Sequence, residues 1–202
     1  MKKAGDFAKE YIRGLKDVLD RIPLGPVEEI IQAIELAQNE RRQIFVIGNG
    51  GSAATASHMM NDLCKGTLGH KGDAPWPRLR VIALTDNISL MTAWANDADY
   101  TRVFSEPLKN LAERGDLLIA ISASGNSPNI MAAVEAAKQI GVKVIGLAGF
   151  GGGKLAKLAE ICFIVPSDGY GPVEDVHMIL DHIITGYLYE KLKETHSRQT
   201  HG

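Results

Sequence analysis

From residue 42 onwards, short apolar runs alternate with stretches that have helical periodicity. Runs of four to six apolar residues, each followed by small or polar residues, occur within QIFVIGNG, LRVIALTD, DLLIAISASG, VKVIGLAG and ICFIVPS. Continuous apolar runs are typical of parallel strands that are covered on both faces. Because the first four runs are followed by segments with a helical pattern, wholly or in part, the chain is predicted to form βαβ units and a doubly wound α/β domain with a parallel sheet.

Helices are predicted at both ends of this α/β core, which spans 41–170. In residues 1–40 apolar side chains recur every four residues, at Phe7, Tyr11, Leu15 and Leu19. RIPLGP then separates this helix from a second one, which could pack, like the first, on its own domain or against a second subunit. We favour the second subunit. A long helix is expected over 171–193 and a disordered tail over 194–202, so residues 1–202 are expected to form a single domain.

Composition narrows the class of protein. The chain has 202 residues, of which 45% are hydrophobic, and a formal net charge of -2. Without a block of like charges, this balance argues against nucleic acid or a membrane surface as the main partner. The two cysteines, Cys64 and Cys162, have no metal-ligand spacing and are expected to be buried thiols in a reducing compartment. Neither a signal-peptide pattern nor a run of roughly 20 apolar residues occurs, so a cytoplasmic location is expected.

Two loops have the pattern of an anion-binding site. In an open α/β sheet, ligands bind beyond the carboxyl ends of the strands, which is where these loops are predicted. GNGGS, at 48–52, offers unobstructed backbone N–H groups beside a helix N-terminus, and SASGNS, at 122–127, adds three serine hydroxyls. Either loop alone could be only a tight turn, but the two together predict a site for one phosphorylated small molecule. The spacings of dinucleotide-binding and nucleoside-triphosphate loops are both missing, so the phosphate would belong to the substrate.

Two sets of histidines and carboxylates lie on predicted helices near these loops. His58 and Asp62 are four residues apart, which places them on one helix face. The C-terminal helix carries a second set, Glu174, Asp175, His177, Asp181 and His182. A lone histidine is more often structural, but two such sets after phosphate-type loops favour a functional role. Glu174 and His182 are separated by about 12 Å of helix rise, so they could meet at one centre only through long side-chain reach or from different subunits.

The order and spacing of several blocks resemble the sugar isomerase (SIS) domain of the sedoheptulose-7-phosphate isomerase family. The blocks are GNGGSAATASHMMNDL, AWANDADYTRVFS, RGDLLIAISASGNSPNI, GGGKLAKLAEICFIVPS and VEDVHMILDHI, and the resemblance covers nearly the whole chain. It implies the SIS fold, a doubly wound α/β sandwich, and a homotetramer with active sites at subunit interfaces. It also implies conversion of sedoheptulose 7-phosphate to D-glycero-D-manno-heptose 7-phosphate, the first step towards nucleotide-activated heptoses for cell-surface glycans.

The resemblance also implies roles for individual residues. The metal-ligand positions of the family, which usually bind zinc, correspond to His58, Asp62, Glu174 and His182. The substrate and phosphate positions correspond to Asn49, Gly50, Gly51, Ser52, Asn96, Asp97, Ser122, Ser124, Ser127 and Glu174, with Ser52 the weaker assignment. Moving a carbonyl from C2 to C1 through an enediol requires a base and an acid, and we assign Asp62 as the base and His182 as the acid. A bound metal would polarise the carbonyl.

The chain departs from the family pattern at several of these positions. Glutamate is usual where this chain has Asp62, glutamine where it has Glu174, and polar residues where it has Pro172 and Val173. The shorter carboxylate of Asp62 could cost about a hundredfold in rate if it misplaced the base by about 1 Å. The alternatives to an isomerase are a non-catalytic SIS-domain protein that associates with a replication initiator and a module that senses a sugar phosphate. The replication-initiator binders lack the full histidine–carboxylate set. Measurements of metal content and turnover would distinguish a sugar-phosphate sensor from an isomerase.

Overall fold

The described residues build one parallel β-sheet with helices on both faces. The computed structural model describes residues 2–201, with side chains up to residue 198. The strands are β1 Gln43–Ile47, β2 Arg80–Ala83, β3 Leu117–Ile121, β4 Lys143–Ala148 and β5 Ile161–Ile164. The helices are α1 Ala4–Leu19, α2 Leu24–Asn39, α3 Gly51–Lys65, α4 Ile88–Asp97, α5 Arg102–Leu111, α6 Pro128–Ile140, α7 Leu155–Leu158 and α8 Tyr170–His201. The predicted α/β fold with a parallel sheet is confirmed.

The strand order sets the place of the ligand crevice. The sheet runs β2-β1-β3-β4-β5, and each neighbouring pair is parallel. The chain therefore winds from β1 to one edge and then, starting again at β3, towards the other. In doubly wound sheets the crevice opens beyond the carboxyl ends of the two strands at this reversal. Because the loops 48–52 and 122–127 follow β1 and β3, the fold brings both to that crevice.

Alternate residues of each strand face two separate cores. In β1, Ile44 and Val46 pack towards α2, α3 and α8, whereas Phe45 and Ile47 pack towards α5 and α6. All four side chains are 0% exposed. Burial of such a side chain contributes about 2 kcal/mol, which explains why uninterrupted apolar runs form the strands. The first core is the one that positions α3 and α8 against each other.

The first helix lies largely outside both cores. Among the described side chains of α1, only Val18 is buried, and Phe7 is 63% exposed. The hydroxyl of Tyr11 donates a hydrogen bond to Asp175 Oδ2 at 2.6 Å, which ties α1 to α8. Leu15 packs partly against the first core. The single chain therefore covers only part of the apolar stripe that the sequence predicted for this helix.

The C-terminal helix is longer than predicted. It has 32 residues and ends at His201, so the prediction of a disordered tail is wrong for residues 194–201, and Gly202 lies outside the described residues. Neither glycine nor proline occurs between Gly186 and the last residue, and Glu194 and Arg198 pair at 3.7 Å across one turn. The polarity of residues 194–198, which are mostly exposed, therefore does not indicate disorder. No helix within residues 2–201 has the length and apolar character needed to cross a membrane.

Candidate active site and metal centre

The loop after β1 turns sharply into α3. Gly50 has φ +54°, a left-handed conformation that glycine adopts without strain, and α3 begins at the next residue, Gly51. The N–H groups of Ala53 and Ala54 both bond to the carbonyl of Gly50. Ser52 is buried in this first turn. The start of α3, with its partial positive charge, thus lies at the crevice, as the sequence predicted for an anion site.

A half-buried amide pair holds this loop against the start of α6. Asn49 Nδ2 donates to Asn129 Oδ1 at 2.8 Å, and Asn129 Nδ2 donates back to Asn49 Oδ1 at 2.8 Å. The hydroxyl of Tyr100 also donates to Asn49 Oδ1, at 3.2 Å. Asn129 is 2% exposed, and sequence reasoning did not select it or Tyr100. The pair links the two predicted phosphate loops, because Asn129 lies in the first turn of α6.

The serine loop after β3 is closely packed and ends at the N-terminus of α6. Ser122 Oγ and Ser127 Oγ lie 3.2 Å apart, and Ser124 Oγ accepts a hydrogen bond from the backbone N–H of Asn126. Gly125 has φ +63°, and a Cβ at this position would collide with the carbonyl oxygen of Gly152. The loop therefore presents serine hydroxyls beside the N-terminus of a helix, an arrangement that suits a phosphate.

Asn96 and Asp97 bond to each other and, among the described residues, to neither loop. They occupy the last turn of α4, where both are exposed, and Asn96 Nδ2 donates to Asp97 Oδ1 at 2.8 Å. Every residue of α4 is at least partly exposed. The substrate-binding role that the resemblance implies for these two residues stays a prediction.

His58, Asp62 and His182 meet between α3 and α8. The Nε2 atoms of His58 and His182 are 3.2 Å apart, and Asp62 Oδ2 lies 3.5 Å from the first and 3.9 Å from the second. In a tetrahedral zinc site with bonds of about 2.0–2.1 Å, donor atoms are about 3.3 Å from one another. The side chains of His58 and His182 are 42% and 56% exposed, so the place is open to small molecules. The three groups thus have the identity and spacing of metal ligands.

Close packing of α3 against α8 produces this meeting. At the end of α3, Gly66 faces Thr185, and a Cβ at Gly66 would lie 3.0 Å from Thr185 Cγ2. Asn61 Nδ2 donates to Asp62 Oδ1 at 2.9 Å, which leaves Oδ2 as the oxygen near the histidines. The short aspartate side chain reaches both imidazoles because the two helices approach so closely.

Asp181 joins the same group, although in the sequence it is only one of several ionisable residues of the C-terminal helix. Its carboxylate and the donor atoms of His58, Asp62 and His182 all lie within 4.8 Å of one another. Burial raises the pKa of the Asp181 carboxyl to about 7, and the negative charge of Asp62 adds to the increase. One turn before it, burial lowers the pKa of His177 to about 4. The signal in the sequence was its position next to His182, but its burial was not visible there.

Glu174 is the one implied metal ligand that the described chain does not bring into the group. Its carboxylate lies against Gly51, at the start of α3, where a Cβ on Gly51 would collide with it. A carboxylate at a helix N-terminus is stabilised by the helix dipole. The separation follows from the helix rise between Glu174 and His182, which the spacing along α8 predicts.

Comparisons with known proteins identify the fold and the family of the chain. A family model described as "SIS domain" matches residues 10–149, which include both loops, His58 and Asp62. The phosphoheptose isomerase of Akkermansia muciniphila is 33% identical over 181 residues, which are 89% of this chain and 93% of that protein. The phosphoheptose isomerase of Rhodospirillum rubrum is 40% identical over 150 residues, 74% of this chain and 77% of that protein. These two relatives narrow the class from SIS-domain proteins in general to phosphoheptose isomerases.

Solved structures agree with this assignment. The phosphoheptose isomerase of Neisseria gonorrhoeae superposes with a TM-score of 0.79 at 31% identity, covering 92% of this chain and 95% of that one. The phosphoheptose isomerase of Francisella tularensis gives a TM-score of 0.84 at 27% identity, covering 94% of this chain and 100% of that one. The chain belongs to the phosphoheptose isomerase family of SIS-domain proteins.

Proposed function

We propose that this protein is an aldose–ketose isomerase that converts sedoheptulose 7-phosphate to D-glycero-D-manno-heptose 7-phosphate, the first step of heptose biosynthesis. The observation that carries the proposal is the meeting of His58, Asp62 and His182 at one open place between α3 and α8, two turns along α3 from the loop that follows β1. Relatives that are 33% and 40% identical are named phosphoheptose isomerases, which supports the substrate. A protein that only binds a sugar phosphate needs the loops but not this histidine–carboxylate group.

The donor set fits a divalent cation, and we propose zinc. Two imidazole nitrogens 3.2 Å apart and a carboxylate oxygen 3.5 Å from one of them match the ligand types and the spacing that zinc prefers. About half of each histidine side chain is exposed, which leaves room for a substrate oxygen. When bound, the cation supplies a positive charge that polarises the sugar carbonyl.

The loops of the crevice anchor the far end of the sugar in this proposal. We assign the phosphate to the serine loop, where Ser122, Ser124 and Ser127 lie at the N-terminus of α6. Asn49 braces that place through its amide pair with Asn129. A fixed phosphate places C1 and C2 at a constant position relative to the helix α3, which reduces the entropy that the reaction must lose.

Asp62 and His182 carry the proton transfers. Asp62 Oδ2 takes a proton from C1 of the ketose and returns a proton to C2, and Asn61 holds the other oxygen of Asp62 in place. His182 donates a proton to the oxygen on C2, which becomes a hydroxyl, and it takes a proton back from the hydroxyl on C1, which becomes the aldehyde oxygen. The carbonyl thereby moves from C2 to C1 through an enediol, with no net gain or loss of atoms.

The homotetramer and the cytoplasmic location are also part of the proposal. Phe7 on α1 and Leu24 on α2 are 63% and 66% exposed, and Leu24 lines an apolar groove together with Ile31, Ile183 and Tyr187. Such an open apolar surface favours contact with further copies of the chain. Both cysteines are free thiols, which is usual in a reducing compartment. Multi-angle light scattering measures the mass of the assembly directly.

Turnover of sedoheptulose 7-phosphate by the purified protein tests the function. The assay follows aldose formation with zinc and with a chelator, for the wild type and for Asp62→Asn. The matched control is Glu190→Gln, which removes one negative charge from an exposed position on α8. We expect the wild type and the control to turn over with metal, and Asp62→Asn to lose at least about a hundredfold in kcat, because it lacks the base.

The possible outcomes separate the alternatives. Loss of turnover in Asp62→Asn with retained metal would support the function and the role of the base together. Bound metal without turnover would redirect the assignment to another sugar phosphate. A protein with neither metal nor turnover would belong with the non-catalytic SIS-domain binders.

A further inference from the structure

Asp181 is buried without a compensating partner. The residue is 0% exposed, and neither of its carboxylate oxygens has a hydrogen-bond partner among the described residues. An ionised carboxylate in such a position is strongly disfavoured unless a cation or several donors face it. On the same face of α8, the hydroxyl of Thr185 lies close enough to interact with the carboxylate but not in the geometry of a hydrogen bond, and His177 Nδ1 is unpaired as well.

The carboxylate of Asp181 lies next to the group formed by His58, Asp62 and His182. One of its oxygens and the donor atoms of His58, Asp62 and His182 lie within 4.8 Å of one another. The two histidines approach this place from the exposed side, whereas Asp181 approaches it from the protein interior. Two carboxylates this close together repel each other, and a divalent cation between them removes that repulsion. The donor types, two imidazoles and two carboxylates, are those that bind zinc.

We propose that Asp181 is the fourth protein ligand of the metal centre, so that His58, Asp62, Asp181 and His182 of one chain bind the ion. Glu174, which the family pattern implies as a ligand, instead stabilises the start of α3 at Gly51. The complete ligand set then lies on α3 and α8 of a single chain, and the buried carboxylate fixes the ion from the side opposite the substrate. The inference rests on the proposed function only for the presence of a metal and not for its substrate.

Metal affinity without substrate tests the proposal. Co²⁺ is used as the probe, since its visible absorption is strong when the ion has four ligands and weak when it has six. Asp181→Asn is expected to weaken Co²⁺ binding by about 100-fold or more, since even partners that only orient a ligand cost 10–100-fold in affinity. Glu174→Gln and the exposed control Glu190→Gln are expected to bind Co²⁺ as the wild type does. Wild-type affinity in Asp181→Asn, or a large loss in Glu174→Gln, would overturn the proposal.

Thermal melting separates a ligand from a structural acid. In the presence of a chelator, Asp181→Asn is expected to melt at a higher temperature than the wild type, because it no longer buries an unpartnered carboxylate. When Co²⁺ is added, the melting temperature should rise strongly for the wild type and little for Asp181→Asn. A variant that melts lower than the wild type in chelator and is stabilised equally by Co²⁺ would show a purely structural role and overturn the proposal.

A cysteine at position 181 reports coordination directly, and it covers the case in which Asp181→Asn fails to fold. Asp181→Cys would place a thiolate at the ion and produce a thiolate-to-Co²⁺ charge-transfer band, whereas Glu174→Cys would not. The wild-type chain is the blank, because Cys64 and Cys162 lie outside the ligand group. The band in Glu174→Cys alone would overturn the proposal. If the wild type binds Co²⁺ through Asp181 but does not turn over sedoheptulose 7-phosphate, the proposed function would be contradicted and the proposed ligand set would stand.

Discussion

His177 should make the unfolding free energy depend on pH in a way that a single substitution removes. The imidazole is 0% exposed, its Nε2 lies 3.4 Å from the carbonyl oxygen of Ala148, and burial lowers its pKa from 6.5 to about 4. The unfolded chain therefore binds a proton at His177 over a pH range in which the folded chain does not. The stability that depends on the neutral imidazole is fully present above pH 6.5 and is lost as the pH falls through 4.

The size of the effect follows from the two pKa values. A pKa difference of one unit corresponds to about 1.36 kcal/mol, so the full gap is worth about 3 kcal/mol, of which about 2 kcal/mol is lost by a pH of about 5. His177→Phe removes the proton site at similar volume. The carbonyl of Ala148 keeps its hydrogen bond from the N–H of Val165 at 2.8 Å, so the variant should lose little at neutral pH.

Urea unfolding in the presence of a chelator measures this difference. Between neutral pH and a pH of about 5, the wild type should lose about 2 kcal/mol more than His177→Phe. Other titrating groups, such as Asp181, are present in both proteins and cancel in the comparison. The same substitution at the exposed His70 serves as the control and should change nothing. Equal pH dependence in the wild type and in His177→Phe would refute the reasoning about burial.

Two further predictions concern the loops. Gly125→Ala should lower the unfolding free energy by roughly 2 kcal/mol or more and raise KM, because its methyl group would collide with the carbonyl of Gly152. The control Gly151→Ala has a similar φ of +73° but open space around it, so it should cost only about 1 kcal/mol. Equal costs of the two substitutions in urea unfolding would contradict this prediction. Asn129→Leu should cost about 1–3 kcal/mol and raise KM more than it lowers kcat, since it removes the acceptor of Asn49 Nδ2. An unchanged KM in steady-state kinetics would rule out bracing of the crevice.

The strands and the two loops could be predicted because their signals are local. A buried parallel strand needs only a short apolar run, and a turn at its carboxyl end needs glycine or small residues, so QIFVI followed by GNGGS specifies both. The order of the strands in the sheet follows from long-range pairing, and the place of the crevice between β1 and β3 was inferred from a general rule of α/β sheets.

The ligand group could be predicted only in part because it depends on packing between distant segments. His58 and Asp62 share one turn of α3, so their proximity is local, but their contact with His182 requires the approach of α8 at Gly66 and Thr185. The burial of Asp181 arises from that same approach and leaves no mark in the sequence. Glu174 was carried over by resemblance, and its distance from His182 along the helix is what separates it from the group.

Isomerisation in D2O, followed by NMR, tests the central claim most directly. Sedoheptulose 7-phosphate incubated with the zinc-loaded wild type should yield the aldose with deuterium at C2, because proton transfer through an enediol exchanges the proton with solvent. The Asp62→Asn variant should form no aldose and exchange no hydrogen at C1 of the ketose. A zinc-loaded wild type that leaves the ketose unchanged would contradict the account, and so would aldose formation that persists in the variant.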